Sequence, residues 1–469
     1  MKRIAIIGGG ITGLSAAFTL QKLRQDGAEV EYVLFESSGR LGGVLATEQV
    51  DGCQIEAGPD SFLTEKPWAS DLCRELGIGD QLVGSNDPDR KTYILVKGKL
   101  VVIPDGLMFM VPTKIMPSVM SSLFSTGTKI RMAQEWFHPP RKAQGDETVA
   151  AFVERHYGPE MVDRLADPLL SGVYGGEASQ LSVRAVLPRF AEMEEKHGSL
   201  GRAMLAARKK MGAAAKGPAK PLFTSLKGGM QQMVDTIVSH LPGPTLKTKC
   251  PVQALQRQDG GWLVSAGYGS DQFDAVILAS PATVAAALAE MCSPELKNEL
   301  SGIPYSSSIT VNLGYDKAVR DALPPGFGYL VPRSEGKATL AATFVHNKFP
   351  HRAPPDRALL RCFVGGARND KALELPDDQI MQVVREELRQ VLGLTAEPLF
   401  TRIYRWRGAM AQYGVGHLER LQRIDSLVSQ LPGLALAGNG YRGIGVPDCV
   451  RSGAEAAKKL VSNVPVTVP

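Results

Sequence analysis

Arg3-Ile4-Ala5-Ile6-Ile7-Gly8-Gly9-Gly10-Ile11-Thr12-Gly13 opens the chain and decides its fold. Residues 4–7 are a continuous apolar run, as expected of a strand buried on both faces of a parallel sheet. Gly8, Gly10 and Gly13 then fall in the spacing G-x-G-x-x-G. The first glycine permits a sharp turn, the second a close approach of backbone to a pyrophosphate, the third close packing of the next helix on the strand. A helix is predicted through 14–20, its N-terminal amides facing the phosphates with the positive end of the helix dipole. A second apolar run, 32–35, ends at Glu36, about 20 residues on, where a carboxylate can accept hydrogen bonds from ribose hydroxyls. That acid would repel a 2′-phosphate and so argues against NADP. Glycines alone are a tight turn of any α/β protein. Strand, glycines, helix and an acid-ended strand in agreement point to a dinucleotide.

With 469 residues the chain can form two or three domains with substantial cores. Its 44% apolar and 22% charged residues are those of an ordinary soluble globular protein. A net charge of +5 is mild at this length and makes no case for nucleic acid. Met1-Lys2-Arg3 leads straight into the first strand, which reads as no secretory leader, and no run is long and apolar enough to span a membrane. Cys53, Cys73, Cys250, Cys292, Cys362 and Cys449 form no C-x-x-C pair and read as reduced cytosolic thiols. The seven histidines show no metal spacing, so no metal is expected.

The chain divides, on this reading, into five stretches. Residues 1–90 are the first part of the nucleotide-binding domain, with a helix through 69–76 stopped by Gly77. Residues 91–220 are a substrate-binding and helical domain, opening with a hairpin over 92–96 and 100–103 that turns on Lys97-Gly98-Lys99. Within it, 106–127 is apolar, methionine-rich and broken by proline. This reads as a helical core or as an adaptable surface for peripheral membrane contact. Residues 167–176 are small, allowing backbone to approach a flat ligand. Residues 196–220 are rich in Ala, Gly and Lys, a solvated basic segment or one facing an acidic lipid surface. Residues 221–300 return to the nucleotide domain with strands at 262–264 and 275–279 and a helix entered at Pro281. Residues 301–400 give an antiparallel sheet with strands at 308–313, 328–331, 339–345 and 359–364. Residues 401–469 close the nucleotide domain with a strand near 434–437, a glycine turn and a helix over 450–460.

Two further glycine turns, 37–43 and 56–62, follow the first, and the chain carries Leu169-Leu170-Ser171-Gly172-Val173-Tyr174, Phe349-Pro350-His351-Arg352-Ala353-Pro354, Gln412-Tyr413-Gly414-Val415-Gly416-His417 and Gly443-Ile444-Gly445-Val446-Pro447-Asp448-Cys449. On these segments the sequence resembles, nearly end to end, the oxygen-dependent protoporphyrinogen and coproporphyrinogen oxidases, the soluble bacterial branch of the flavin amine oxidase superfamily. The resemblance implies an α/β fold: a Rossmann-like FAD-binding domain of the amine oxidase and p-hydroxybenzoate hydroxylase type, with an inserted α+β substrate domain and a helical subdomain. It implies six-electron oxidation of a porphyrinogen to the porphyrin on the path to haem, with O2 as acceptor giving hydrogen peroxide. FAD would lie against Gly8, Gly9, Gly10, Ile11, Thr12, Gly13, Glu36, Ser37, Arg40, Gly43, Val44, Gly58, Pro59, Asp60, Ser61, Val252, Trp406 and Val446. The late strand, turn and helix would bring amides to the isoalloxazine, whose reduced form carries negative charge. Binding is expected to be non-covalent, since Cys449, the only cysteine near this place, reads as a small buried hydrophobe. Catalysis is assigned to the flavin, with no side-chain acid–base pair. The substrate would meet Lys66 through a propionate, Gly172 through backbone, and Leu330 and Phe344 through apolar contact. An amine oxidase or carotenoid-type desaturase is the enzyme alternative, disfavoured because Ala437-Gly438-Asn439-Gly440 holds no acid. A flavin- or porphyrin-binding protein without activity is the other. Monomer and homodimer, and coproporphyrinogen III and protoporphyrinogen IX, stay open.

Overall fold

In the computed structural model the described residues are 1–469 except 109, 143–144, 213–219, 259, 368–369 and 463–469. Part of the Ala/Gly/Lys segment named above, and one residue of the methionine-rich segment, therefore lie outside the described residues.

The opening strand, Lys2–Ile7, is central in a five-stranded parallel sheet. Val30–Phe35 and then Leu246–Lys247 lie on one side of it, Ala275–Leu278 and Leu434–Leu436 on the other. Ile4 and Ile6 pack into one apolar cluster and Ala5 and Ile7 into another, so both faces are covered. That is why the run lacks the alternation of a half-exposed strand. Strand order reverses direction at this strand, which makes its C-terminal end the place where a doubly wound sheet opens a crevice.

The second sheet has seven strands. From one edge they are Phe400–Ala411, Tyr305–Asp316, Arg357–Gly365, Thr339–Phe344, Gly328–Leu330, Thr92–Val96 and Lys99–Val102. It is mixed rather than purely antiparallel: Gly328–Leu330 pairs parallel with Thr92–Val96. The hairpin 92–102 comes from far earlier in the chain and joins the edge in whichever direction its crossover allows. Its turn holds Lys97 at φ +51° and Gly98 at φ +75°, the left-handed pair that a tight hairpin requires. The first and longest edge strand, Phe400–Ala411, was not expected, and the boundary expected at 401 falls inside it. Its alternation is weak because nearly all its side chains are half-buried.

The helix Asp377–Leu392 covers one face of this sheet through Ile380, Val384 and Leu388. Helices Thr126–Glu135, Val149–Tyr157, Asp167–Tyr174, Pro188–His197 and Leu200–Gly212 belong to a separate cluster, to which the sheet contributes Ile94 and Leu330. Residues 106–127 are less helical than the composition suggests: Leu107–Met108 pairs with Val111–Pro112, and only Ile115–Met120 coils. Pro112 lacks the N–H that a helix interior needs, whereas Pro117 sits in the first turn of Ile115–Met120, where that N–H has no intrahelical partner.

Candidate functional site

The glycine turn has the geometry its spacing implies. Gly8 adopts φ +118°, and a Cβ there would meet Ala279 O at 2.7 Å. A Cβ on Gly13 would lie 1.9 Å from Gly8 O, so only glycine lets the opening helix, Ile11–Gln25, sit this close to the strand. Gly10 differs: a Cβ there would meet nothing within 4 Å. The fold itself does not demand glycine at position 10, whereas a ligand seated against the backbone would. Gly10 is the N-cap of that helix and no side chain caps it, leaving the first amides for an anion.

Glu36 closes this cradle at its far end. Its Oε2 accepts from Gly9 N–H at 2.7 Å and its Oε1 from Ser38 N–H at 2.7 Å, with Ser37 Oγ at 3.3 Å. A carboxylate has acceptor capacity beyond these bonds. The chain leading to Val252 runs alongside, Cys250 N–H donating to Glu36 O and Lys249 N–H to Ser38 O. Arg40 Nη1 donates to Leu45 O at 2.7 Å and Nη2 to Gly43 O, fixing the second glycine turn. That turn lies on the first, through a bridge between Gly10 and Gly42. The third turn follows: a Cβ on Gly58 would lie 2.0 Å from Val44 O.

The carbonyls of the third turn are held from the seven-stranded sheet. Trp406 Nε1 and Thr310 Oγ1 each donate to Ala57 O at 2.8 Å, and Arg361 donates to Gly58 O. Asp60 pairs with Lys348 at 2.9 Å, and Ser61 Oγ donates to Asp60 at 2.7 Å. Burial pushes the Asp60 carboxyl up, but Lys348, Arg361 and Arg352 more than reverse this, and it stays ionised well below the ordinary carboxylate range. Burial raises Glu56 against the pull of Arg352. Sequence reasoning missed Lys348 and Arg361. Only the quoted segment 349–354 signalled Arg352, and nothing local signals Lys348 or Arg361.

The C-terminal helix, Val446–Val461, places a second uncapped N-terminus beside the first. A Cβ on Gly453 would lie 2.1 Å from Thr12 O, so this helix packs closely on the first turn of the opening helix. Tyr413 hydroxyl accepts from Gly443 N–H at 2.9 Å and donates to Asn439 O at 2.6 Å, pinning the loop that enters this helix. Cys449 is buried there, its thiol pushed up to about 11 chiefly by desolvation.

The residues expected at the substrate separate into three cases. Lys66 reaches the mouth of the C-terminal helix, where its Nζ binds Asp448 Oδ2 at 2.6 Å; the lysine is 40% exposed and the aspartate 4%. It is therefore already paired within the protein, which the expectation did not include. Gly172 and Leu330 are adjacent, a Cβ on Gly172 meeting Leu330 Cδ2 at 3.9 Å. Phe344 is 0% exposed and lies in the cluster under the helix Asp377–Leu392, with Tyr329. Tyr329 and Leu330 point to opposite faces because strand side chains alternate. Phe344 is thus packed in the core on the face of the sheet away from Leu330.

The family model described as flavin containing amine oxidoreductase matches residues 11–461. A coproporphyrinogen III oxidase of Bacillus subtilis (strain 168) is 34% identical over 98% of each chain. Protoporphyrinogen oxidase 2, chloroplastic/mitochondrial, of Arabidopsis thaliana is 29% identical over 98% of this chain and 94% of its own. A solved structure from Exiguobacterium sp. 255-15, named as a candidate protoporphyrinogen oxidase, superposes with a TM-score of 0.87 at 31% identity over 98% of each chain.

Proposed function

The chain belongs to the flavin-containing amine oxidoreductases, and from that membership we propose that it is an FAD-dependent porphyrinogen oxidase, with coproporphyrinogen III as the substrate. The observation that carries this is the full-length likeness to the Bacillus subtilis enzyme of that name. The likeness is supported by features that we read as one groove: an acid-ended strand, two adjoining uncapped helix N-termini, and the adjacent Gly172 and Leu330.

The residues present fit FAD. The open face at Gly10 and the amides of 11–13 suit a pyrophosphate; Glu36, with Ser37 and Val252 beside it, suits the adenosine ribose. Gly43, Val44, Gly58–Ser61, Trp406 and Val446 border the remainder of the groove, with Arg40 bracing the second turn. Bound flavin supplies hydride acceptance at N5, and O2 is the acceptor that renews it. Attachment is non-covalent: Cys449 is a protonated, buried thiol at neutral pH.

The protein's own part is orientation. Gly172 and Leu330 present a flat apolar wall to a tetrapyrrole, and backbone at Gly172 can approach it without a side chain intervening. Lys66 meets a propionate by exchanging or sharing Asp448. Sharing is favoured over exchange, because Asp448 is 4% exposed and full release of the lysine would leave its carboxylate a poorly paired buried charge. No helix among the described residues is long and apolar enough to cross a membrane. Met116, Val119 and Met120 on the helix Ile115–Met120, and Ile130 and Phe137 further along, are nonetheless exposed, and we assign them to peripheral contact with a lipid surface.

The test is optical. Purified protein should be yellow and should bleach anaerobically with coproporphyrinogen III, recover its colour on admitting air, and release coproporphyrin. Bleaching by primary amines but by no porphyrinogen would replace this reading with amine oxidation.

A further inference from the structure

Three cations meet beneath the third glycine turn: Lys348, Arg352 and Arg361. Two carboxylates face them, Asp60 and Glu56. Arg352 is 0% exposed and Arg361 4%. Arg352 Nη2 spreads over Asp60 O at 2.7 Å, Ser225 Oγ at 2.6 Å and Glu56 Oε1 at 3.2 Å. Its Nε and Nη1 make no hydrogen bond, and neither does Arg361 Nε. Phe349 lies 4.5 Å beneath the Arg352 guanidinium and Phe363 4.8 Å beneath that of Arg361. These ring faces soften the positive charge without cancelling it. A buried cluster with one more cation than anion lowers stability on its own account. Its position suggests what the excess is for.

That position adjoins the groove. Arg361 donates to Gly58 O; Gly58 packs on Val44; Gly43 packs on Gly10. The segment beyond Gly58 runs on towards Lys66, which binds Asp448 in the first turn of the C-terminal helix. A dinucleotide whose ribose lies at Glu36 and whose pyrophosphate lies at Gly10 must place its second ring on this far side. Uptake of two electrons and one proton turns a neutral oxidised flavin into an anion at neutral pH. A fixed positive charge in a water-poor region favours that anion over the neutral form.

We propose that the Lys348–Arg352–Arg361 cluster, through its excess positive charge, raises the reduction potential of the flavin bound in this groove. The inference rests on the reading that the groove holds FAD. It assigns to these three residues a role in tuning the cofactor beyond packing.

The experiment is a spectrophotometric reduction of the holoprotein against reference dyes, for wild type, Arg361→Gln, Arg361→Lys and Asp60→Asn. Arg361→Gln balances the cluster at two cations and two carboxylates, and should lower the potential. Asp60→Asn enlarges the excess and should raise it. Each shift should be at least tenfold in the reduced-to-oxidised equilibrium, about 30 mV for a two-electron couple. Arg361→Lys keeps the charge and should stay near wild type. Opposite shifts from the two charge-changing variants would not arise from loosened packing. If Arg361→Gln fails to retain flavin, Lys348→Gln makes the same charge change and takes its place. Unchanged potentials, or shifts of the same sign in Arg361→Gln and Asp60→Asn, would overturn the proposal while leaving the FAD site intact. Wild-type protein that binds no FAD would instead overturn the reading beneath it.

Discussion

The two ends of the groove are built from different materials. The nucleotide end is backbone: glycines, the N-terminus of the opening helix and one carboxylate, all from residues 4–36. The flavin and substrate end is held by side chains brought from distant parts of the chain. Lys66 meets Asp448, Arg352 meets Glu56, and Trp406 meets Ala57. The first kind of construction tolerates no added atom at Gly8 or Gly13 and tolerates one at Gly10 until a ligand arrives. The second depends on charge balance, so its sensitivity is electrostatic more than steric.

The sharpest break in that contrast lies within the glycine turn. Gly10→Val should fold and yet lose FAD altogether, since its side chain would enter only the ligand's space. Gly13→Ala should instead lose stability, by about 3 kcal/mol or more, because its methyl would strike a backbone carbonyl that cannot yield alone. Thermal melting and flavin content of the two variants would check this. Flavin at normal occupancy in Gly10→Val would sink the cradle assignment.

At the substrate end, Lys66→Ala should lower kcat/KM by about 10- to 100-fold, the loss of one charge-assisted hydrogen bond of roughly 1.5–3 kcal/mol. FAD content should be unchanged, and stability should fall, because the lysine's departure leaves the buried Asp448 carboxylate with only a distant cation. Lys66→Arg should recover much of the activity. Wild-type turnover in Lys66→Ala, followed by porphyrin fluorescence, would reduce the residue to a structural partner of Asp448.

A smaller effect is expected in the helical subdomain, which also relies on charge. His156 is buried between Glu135, 3.3 Å from Nδ1, and Glu194, 3.2 Å from Nε2, with His138 and Tyr157 against it. Burial alone would lower its pKa, but the two carboxylates raise it above the ordinary histidine value. A raised pKa means that its stabilisation is fully present below about pH 6.5 and is lost as pH rises through the folded value. Glu194, lowered to about 2 with burial opposed by His156 and Arg155, loses its contribution as pH falls below the ordinary carboxylate range. Urea unfolding should therefore show stability that declines as pH rises above about 6.5. His156→Gln should flatten that slope; an equal slope in the variant would refute the assignment.

The least effect on stability is expected at the exposed apolar residues. Met120→Ser, at a position 80% exposed, should change stability by no more than about 0.5 kcal/mol. Co-sedimentation with phosphatidylglycerol vesicles should weaken, and binding equal to wild type would remove this surface from membrane contact.

Much of the nucleotide end is readable from sequence alone. The apolar run, the glycine spacing, the helix and Glu36 lie within a few turns of each other, and each is required by local geometry. The strands of the second sheet were also legible where polar and apolar residues alternate, as in Ser308-Ile309-Thr310-Val311-Asn312-Leu313, but not at Phe400–Ala411, whose half-buried side chains show no contrast between faces. The face of the sheet to which Phe344 turns was not legible, because an apolar residue in a strand fits a core and a ligand wall equally well. Only the helix Asp377–Leu392 lying over it decided the matter. The partner of Lys66 was hidden for another reason. An ion pair between residues 66 and 448 has no period and no spacing, and exists only because the C-terminal helix returns to lie against Thr12. The sequence by itself determined the backbone devices, since these are set by the conformations glycine permits and by contacts between near neighbours. The tertiary structure decided the charges: which carboxylate each cation meets, and that three cations share two beneath one turn, follow from how distant segments pack.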